Sequence, residues 1–385
     1  MTRPRGAAAR GVFPAVPAVR AATIRDVAKR AGVSVSTVSR VVSGTGYVNA
    51  DTRRLVEKAI AELGYVPSAS ARGLVARRTG TLGLCLPDAG PAAHLREPAR
   101  TGSGVELITD DGTAPGGPAW GSLYFGEVVR GAEFAAWQAG LSVIVAVARP
   151  PEAEARARDL AGRVDGLIVV AGTLPDDVVE HVAHRVPVVL VAGPRPAGGY
   201  DHVGVDNARG VQVLVEHLVR AHGIRDVRYV AGRAGTPDDI GRFRGFRAAM
   251  RALGLPVPAE PALRGDFSRA TGRRLARGLL AEHRGGRSPM PGALVCANDE
   301  TALGFLDVLT AEGFDVPGDV ALTGFDGIDG GRTSSPRLTT VEQPMTGLGR
   351  LAVDVLRACL ADPRLPRQDL LVPVRVLLRE SCGTH

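Results

Sequence analysis

Aromatic residues are scarce: Phe, Trp and Tyr together make up 4% of the 385 residues, although 45% of the chain is apolar. A core of normal size must therefore be filled by alanine, valine and leucine. No run of 18 apolar residues occurs, so no membrane-spanning helix and no membrane partner are expected. Four cysteines, Cys85, Cys296, Cys359 and Cys382, are scattered without a CxxC pair. They read as reduced core or terminal residues of a cytosolic protein, not as a disulfide frame or a metal site. The sequence also lacks a GxSxG elbow, a Walker loop and any His/Glu metal spacing, and its eight histidines are dispersed. The Gly-rich fragments are too loose for a dinucleotide fingerprint. An enzyme is not expected, and no cofactor or metal is assigned.

What is present is an uneven charge. Residues 23–79 hold ten Lys/Arg against four Asp/Glu, the first 22 residues add Arg3, Arg5, Arg10 and Arg20, and the overall balance is +7, so residues 80–385 carry about −3. A basic N-terminal piece on a mildly acidic body suits a polyanionic partner for that piece alone. A solvated basic face is the bland alternative. Residues 1–22, rich in Ala, Pro, Gly and Arg, lack the apolar centre of a secretion signal and read as a disordered basic arm or a misassigned start.

The stretch TIRDVAKRAGVSVSTVSRVVSG, residues 23–44, reads as two short helices around a tight turn. Ile24, Val27, Ala28 and Ala31 recur at helical spacing, Gly32 suits a left-handed helix end, and Ser34 offers a cap for a second helix. Val35, Val38, Val41 and Val42 form the second helix's apolar stripe, while Ser36, Thr37, Ser39 and Arg40 fall on its other faces. This is the layout of a helix-turn-helix that reads DNA, although a buried helical hairpin shares the spacing. A third helix is predicted over 49–63, capped by Asn49, with Leu55, Val56, Ala59, Ile60 and Leu63 inward and Gly64 at its end. Pro67 breaks the helical path. Residues 68–79 promise only a weak helix, because Gly73 costs helix stability.

From Thr81 onward, short apolar runs bounded by Gly, Pro or Asp alternate with helical stretches. TLGLCLP, LSVIVAVA, DGLIVVAG, PVVLVAG, DVRYVAG, GALVCAN and DVALTGFD read as buried parallel strands. Helices are predicted over 122–139, 206–221, 240–253, 268–284 and 299–312. So many strands suggest two Rossmann-like lobes, whose ligands bind beyond the carboxyl ends of the strands. Arg242, Asn298, Asp299 and Asp326 stand at such ends or at helix starts. Arg and Asp there can hold hydroxyl groups by charge-assisted hydrogen bonds, and Phe267 can stack on a sugar face. Asp299 could instead cap the helix 299–312.

The 23–44 stretch, followed by VNADTRRLVEKAIAELGYVPSASARGL, resembles the headpiece of the LacI/GalR (lactose-repressor) family of bacterial transcription regulators. VGVDNARG, GRFRGFRAAM, ALVCANDETALGFLDVL, VALTGFD, LTTVEQPMTGLGRLAVDVL and LVPVRVLLRESCG resemble that family's core. The resemblance covers 23–87 and 122–382. It implies a two-lobed α/β core like that of periplasmic binding proteins, carrying an all-α headpiece over 23–67. It implies a hinge helix over 68–79 that folds on DNA, with Leu74 wedged into the minor groove; an ordinary linker is the alternative. By resemblance, Thr23, Val35, Ser36, Thr37, Ser39 and Arg40 contact DNA, and Arg242, Phe267, Asn298, Asp326 and Gln343 contact a small-molecule effector.

The implied protein is a cytoplasmic, nucleoid-associated repressor. It binds a near-palindromic double-stranded operator as a homodimer, with helices 122–139 and 346–360 at the dimer face, and responds to a sugar-like effector. Induction is the commoner response in that family. A sugar-binding transport receptor shares the core but not the headpiece. Two departures stand out. Residues 88–121 are an insertion, with a possible strand at 104–109, that could cover the cleft mouth, lie at the dimer face or be disordered. Ala192-Gly193 stand where the family often has a polar sugar-contacting residue, which leaves open a regulator that has lost its small-molecule response.

Overall fold

A computed structural model of the chain describes residues 22–44, 46–66, 78–88, 122–149, 151–194 and 199–385. Most of the N-terminal arm, the hinge segment with Leu74, and nearly all of the 88–121 insertion with its possible strand lie outside the described residues. The chain divides into two compact units, Met1–Thr79 and Gly80–His385.

The first unit has three helices: α1 (Ile24–Ala31), α2 (Val35–Ser43) and α3 (Ala50–Leu63). Each is capped by the residues the sequence offers. Thr23 and Asp26 form a capping box, Ser34 accepts from the Thr37 amide, and Asn49 accepts from the Thr52 amide at 2.8 Å. Gly32, Gly44 and Gly64 end the three helices in the left-handed conformation, which costs glycine little. Val27, Ala28, Val38, Val41, Val56 and Ala59 make the core. Two apolar positions differ from expectation. Val35 and Leu55 are exposed: Val35 opens the first turn of α2, before the buried Val38 and Val41, and Leu55 lies one position, about 100°, from the buried Val56.

The second unit holds two six-stranded sheets. The first is built from β1 (Thr81–Pro87), β2 (Ser142–Ala148), β3 (Gly166–Val170), β4 (Val188–Val191), β5 (Asp201–Val205) and β11 (Asp369–Val372). Its order is β11-β5-β4-β3-β1-β2, with every pairing parallel. The second is built from β6 (Val227–Ala231), β7 (Leu263–Arg264), β8 (Ala293–Cys296), β9 (Ala321–Asp326), β10 (Thr339–Glu342) and β12 (Arg375–Leu377), in the order β12-β10-β9-β8-β6-β7. Only β12 runs antiparallel, against β10.

Helices α4 (Ser122–Gln138), α5 (Ala153–Ala161) and α6 (Asp176–Ala183) belong to the first lobe. Helices α7 (Asn207–His222), α8 (Pro237–Ala252), α9 (Arg269–Arg284), α10 (Asp299–Ala311) and α11 (Asp329–Thr333) belong to the second. Helix α12 (Met345–Ala361) returns to the first lobe and packs its apolar face on α4, through Val128, Ala132, Leu348 and Ala352. The chain crosses between lobes three times: from β5 to α7, from β10 to α12 and from β11 to β12. Aliphatic side chains do fill both cores, and among the described residues Tyr229, Phe246, Phe305 and Phe325 are the aromatics fully enclosed.

Candidate functional sites: the α2 helix and the interlobe cleft

In the first unit the exposed face of α2 carries Val35, Ser36, Ser39 and Arg40, with Thr37 half-buried. Ser34 Oγ lies 2.8 Å from Ser36 Oγ and 2.9 Å from Thr37 Oγ1, so hydroxyls cluster at the helix start. Thr23 is exposed, and its hydroxyl donates to Asp26 at 2.7 Å. Tyr47, just beyond α2, is 90% exposed, an aromatic the sequence reading did not single out.

In the second unit a cleft of about 410 Å³ opens between the two sheets at their carboxyl ends. Arg242, Phe267, Asn298, Asp326 and Gln343 all line it. Arg242 projects from α8, and its guanidinium is buried and over-determined. Nε donates to Asn207 Oδ1 at 2.8 Å, Nη1 donates to the Ala297 carbonyl at 2.6 Å, and the group lies 3.7 Å above the centroid of the Phe325 ring. Nη1 also stands 3.7 Å from Asp326 Oδ1, which accepts from Gln343 Nε2 at 2.6 Å. Burial pushes the Asp326 carboxyl up to about 6, against the opposing pull of Arg242 and the Gln343 hydrogen bond.

Asn298 caps α10 by accepting from the Thr301 amide, while its Nδ2 donates to the Phe267 carbonyl at 3.0 Å. Phe267 and Asp326 both hold positive φ, 71° and 121°, which non-glycine residues adopt at a cost. The Phe267 ring presses so closely on Gly232 that a Cβ there would fall 2.2 Å from it. Glycine at 232 is what lets the ring reach the cleft wall.

Asp299 does not take either role expected of it. Asn298 is the helix cap, and Asp299 is fully buried behind the cleft. It accepts from the Gly327 and Ile328 amides at 2.8 and 2.9 Å and from the Thr340 hydroxyl. Burial and the nearby Asp326 charge raise its carboxyl to about 8.

The opposite wall was not read from the sequence. Asp88, Tyr124, Ala171 and Thr173 of the first lobe line it, together with Asp238 at the start of α8. Desolvation and the charges of Asp238 and Asp326 push the Tyr124 hydroxyl well above its ordinary range. Asp88 and Thr173 follow strands, the signal used for the second lobe. Tyr124 stands in the first turn of α4, beyond the insertion, a helix start that was not singled out.

The profile described as "Bacterial regulatory proteins, lacI family" matches residues 23–68, and that of the "Periplasmic binding protein-like domain" matches residues 215–382. The HTH-type transcriptional repressor PurR of Klebsiella pneumoniae (strain 342) is 32% identical over 368 residues, covering 94% of this chain and 96% of that protein. The chain belongs to the lacI family of bacterial transcription regulators. PurR of Escherichia coli O139:H28 is likewise 32% identical, over 367 residues covering 94% of this chain and 96% of its own. Among solved structures, the Lac repressor dimer bound to operator and the anti-inducer ONPF superposes with a TM-score of 0.76 at 26% identity, covering 95% of this chain and all of that one. The CelR–cellobiose complex gives 0.63 at 28% identity, covering 94% of this chain and 99% of that one. As a member of this family the protein is a ligand-modulated, DNA-binding transcriptional regulator, and its relatives are repressors rather than enzymes.

Proposed function

We propose that the protein is a repressor that binds a near-palindromic operator as a homodimer and releases or tightens on it when a sugar or sugar derivative enters the interlobe cleft. The observation that carries this reading is the meeting of Arg242, Asp326, Asn298, Gln343 and Phe267 on one cleft of about 410 Å³. That volume lies within the usual range for small-molecule sites. A buried Arg–Asp pair with two amides offers donors and acceptors to hydroxyls, and the Phe267 ring offers a stacking face. One relative, CelR, has been solved with cellobiose.

In the headpiece, Val35, Ser36, Thr37, Ser39 and Arg40 of α2 read the major groove, and Thr23 anchors the start of α1. Leu74 of the segment 68–79 serves the minor groove. Exposed Leu123, Phe134 and Trp137 on α4 and Ile144, Val145 and Val147 on the edge strand β2 offer an apolar surface for a second copy. Helix α12, packed on α4 within the lobe, is the other helix we place at this dimer face. A ligand shifts operator affinity only by its differential affinity for the open and closed lobe arrangements.

The experiment is operator binding against a sugar panel, with thermal stabilisation as the first screen. One sugar should raise the melting temperature and change operator affinity. Asp326→Ala should leave effector-free affinity unchanged within about twofold, or ~0.4 kcal/mol, and abolish the response. A variant that responds at the same concentration removes Asp326 from the site. A wild type indifferent to the whole panel would point to a regulator without a sugar response.

A further inference from the structure

The histidines and cysteines look dispersed in the sequence, but the fold collects four of them away from both sites above. His217 and His222 lie on the last turns of α7. Cys382 closes the short 3₁₀ turn Glu380–Cys382 that follows β12, and His385 lies three residues on. One ligand-capable atom from each of the four lies within 4.8 Å of all the others. The Nε2 atoms of His217 and His222 are 3.1 Å apart, and Cys382 Sγ is 3.5 Å from His385 Nε2. The three imidazole centroids stand 4.9, 5.2 and 5.3 Å from one another.

We propose that His217, His222, Cys382 and His385 form a four-coordinate zinc site that fastens the segment after β12 to the end of α7. Zinc bonds to imidazole nitrogen at about 2.0–2.1 Å and to thiolate at about 2.3 Å, so tetrahedral ligand atoms stand roughly 3.3–3.7 Å apart. The Cys382–His385 pair at 3.5 Å already has that spacing and the His217–His222 pair at 3.1 Å falls just short of it. The whole set, within 4.8 Å, closes around an ion with side-chain shifts of about an ångström. Three nitrogens and one soft sulfur in a closed tetrahedral set favour zinc among divalent ions.

The surroundings fit the same chemistry. Cys382 Sγ is buried and lies 3.0 Å from Thr339 Oγ1; that hydroxyl donates to the Arg379 carbonyl at 3.0 Å and would turn toward a thiolate to act as an outer partner of the metal ligand. Gly383 runs past the His222 ring at φ 129°, where a Cβ would fall 2.6 Å from it. Glycine here lets the chain pass between Cys382 and His385 without displacing the ring. His385 Nε2 now sits 3.0 Å from the Arg379 carbonyl, and metal binding would exchange that contact for a metal bond. Both tethered elements follow interlobe crossovers, α7 after β5 and β12 after β11, so the ion would stiffen the second lobe where two of its three connections land.

The test uses the untagged full-length protein, stripped with chelator and titrated with Co²⁺ and then Zn²⁺. One Co²⁺ per chain should give tetrahedral d–d bands and a near-ultraviolet sulfur-to-cobalt charge-transfer band, and one Zn²⁺ should erase both. Losing an outer partner of a metal ligand typically costs roughly 10–100-fold in affinity, so His385→Ala should cost more than about 100-fold. Cys382→Ser should remove the charge-transfer band. His181→Ala, at an exposed position of α6, should change nothing. Should Cys382→Ser fail to fold, His385→Ala and His222→Gln carry the test, since neither side chain is fully buried. A wild type without the charge-transfer band, or a His385→Ala protein that binds as tightly as wild type, overturns the site.

Discussion

The Gly193 amide donates to Asp238 Oδ1 at 2.9 Å, joining the turn after β4 in the first lobe to the first turn of α8 in the second. The same oxygen accepts from Asn207 Nδ2 at 2.7 Å. Beside it, Pro237 packs so closely on Gly193 that a Cβ there would fall 3.2 Å from the proline and 2.7 Å from Ala171 Cβ. Gly193 also holds φ 71°, a conformation that suits glycine. A small pair, Ala192-Gly193, thus follows this strand, and the second lobe brings Asp238 against it.

Asp238 therefore acts as a latch between lobes. Asp238→Ala removes an acceptor shared by both lobes, and hydrogen bonds to charged groups contribute about 1.5–3 kcal/mol each. The effector-free variant should have a larger radius of gyration by small-angle scattering, and its effector affinity should fall about tenfold, or ~1.4 kcal/mol. Unchanged scattering together with unchanged affinity would remove the latch.

Asp299 gives a pH signature. Its carboxyl is raised to about 8 in the folded chain, against about 3.9 when unfolded. The folded state therefore holds the extra proton, and stability from this group is fully present below pH ~4 and lost as pH rises through about 8. Asp299→Asn keeps the neutral form at every pH. Its carbonyl oxygen can accept from the Gly327 and Ile328 amides, while its amide donates to Thr340 Oγ1. The melting temperature of wild type relative to Asp299→Asn should fall between pH 5 and 9. A difference that stays flat across that range would mean that Asp299 is ionised throughout.

The parts legible in the sequence were those with a local cause. Gly32, Ser34, Asn49 and Gly64 mark the headpiece helices because caps are set by one residue and its neighbours. The runs from TLGLCLP to DVALTGFD announce β1, β3, β4, β6, β8 and β9 because both faces are largely buried, and β2 because its run is apolar although this edge strand leaves Ile144, Val145 and Val147 exposed. The remaining strands hid for the same reason inverted. In β10, Thr339 and Thr340 are fully buried but polar, and their hydroxyls reach Arg379 and Asp299, some 40 residues distant in the chain. No periodicity records such partners. The second-lobe wall of the cleft was readable because Arg242, Asn298 and Asp326 stand at strand ends or helix starts. Tyr124 and Asp238 were not, since their role depends on how the lobes face each other. The cluster of His217, His222, Cys382 and His385 was invisible for the same reason, as its two halves lie 160 residues apart.

The headpiece makes the last prediction. Helix α2 is held by Val38 and Val41, both buried, and by the Ser34 cap, so its exposed residues can be changed without loosening the three-helix core. Arg40 is exposed on that face. An arginine that holds guanine through its two major-groove acceptors contributes about 1–3 kcal/mol of discrimination. Arg40→Ala should keep the melting temperature within about 1–2 °C, the shift expected of an exposed residue. It should weaken operator binding by that discrimination energy and flatten preference between operator and scrambled DNA. Binding to both should stay strongly salt-dependent, because ten basic residues between Thr23 and Thr79 still neutralise phosphates. A fragment beginning at Thr81 lacks those residues and should bind neither DNA. Undiminished selectivity in Arg40→Ala would take Arg40 off the base edges, and DNA affinity in the Thr81 fragment would take the charge argument off the headpiece.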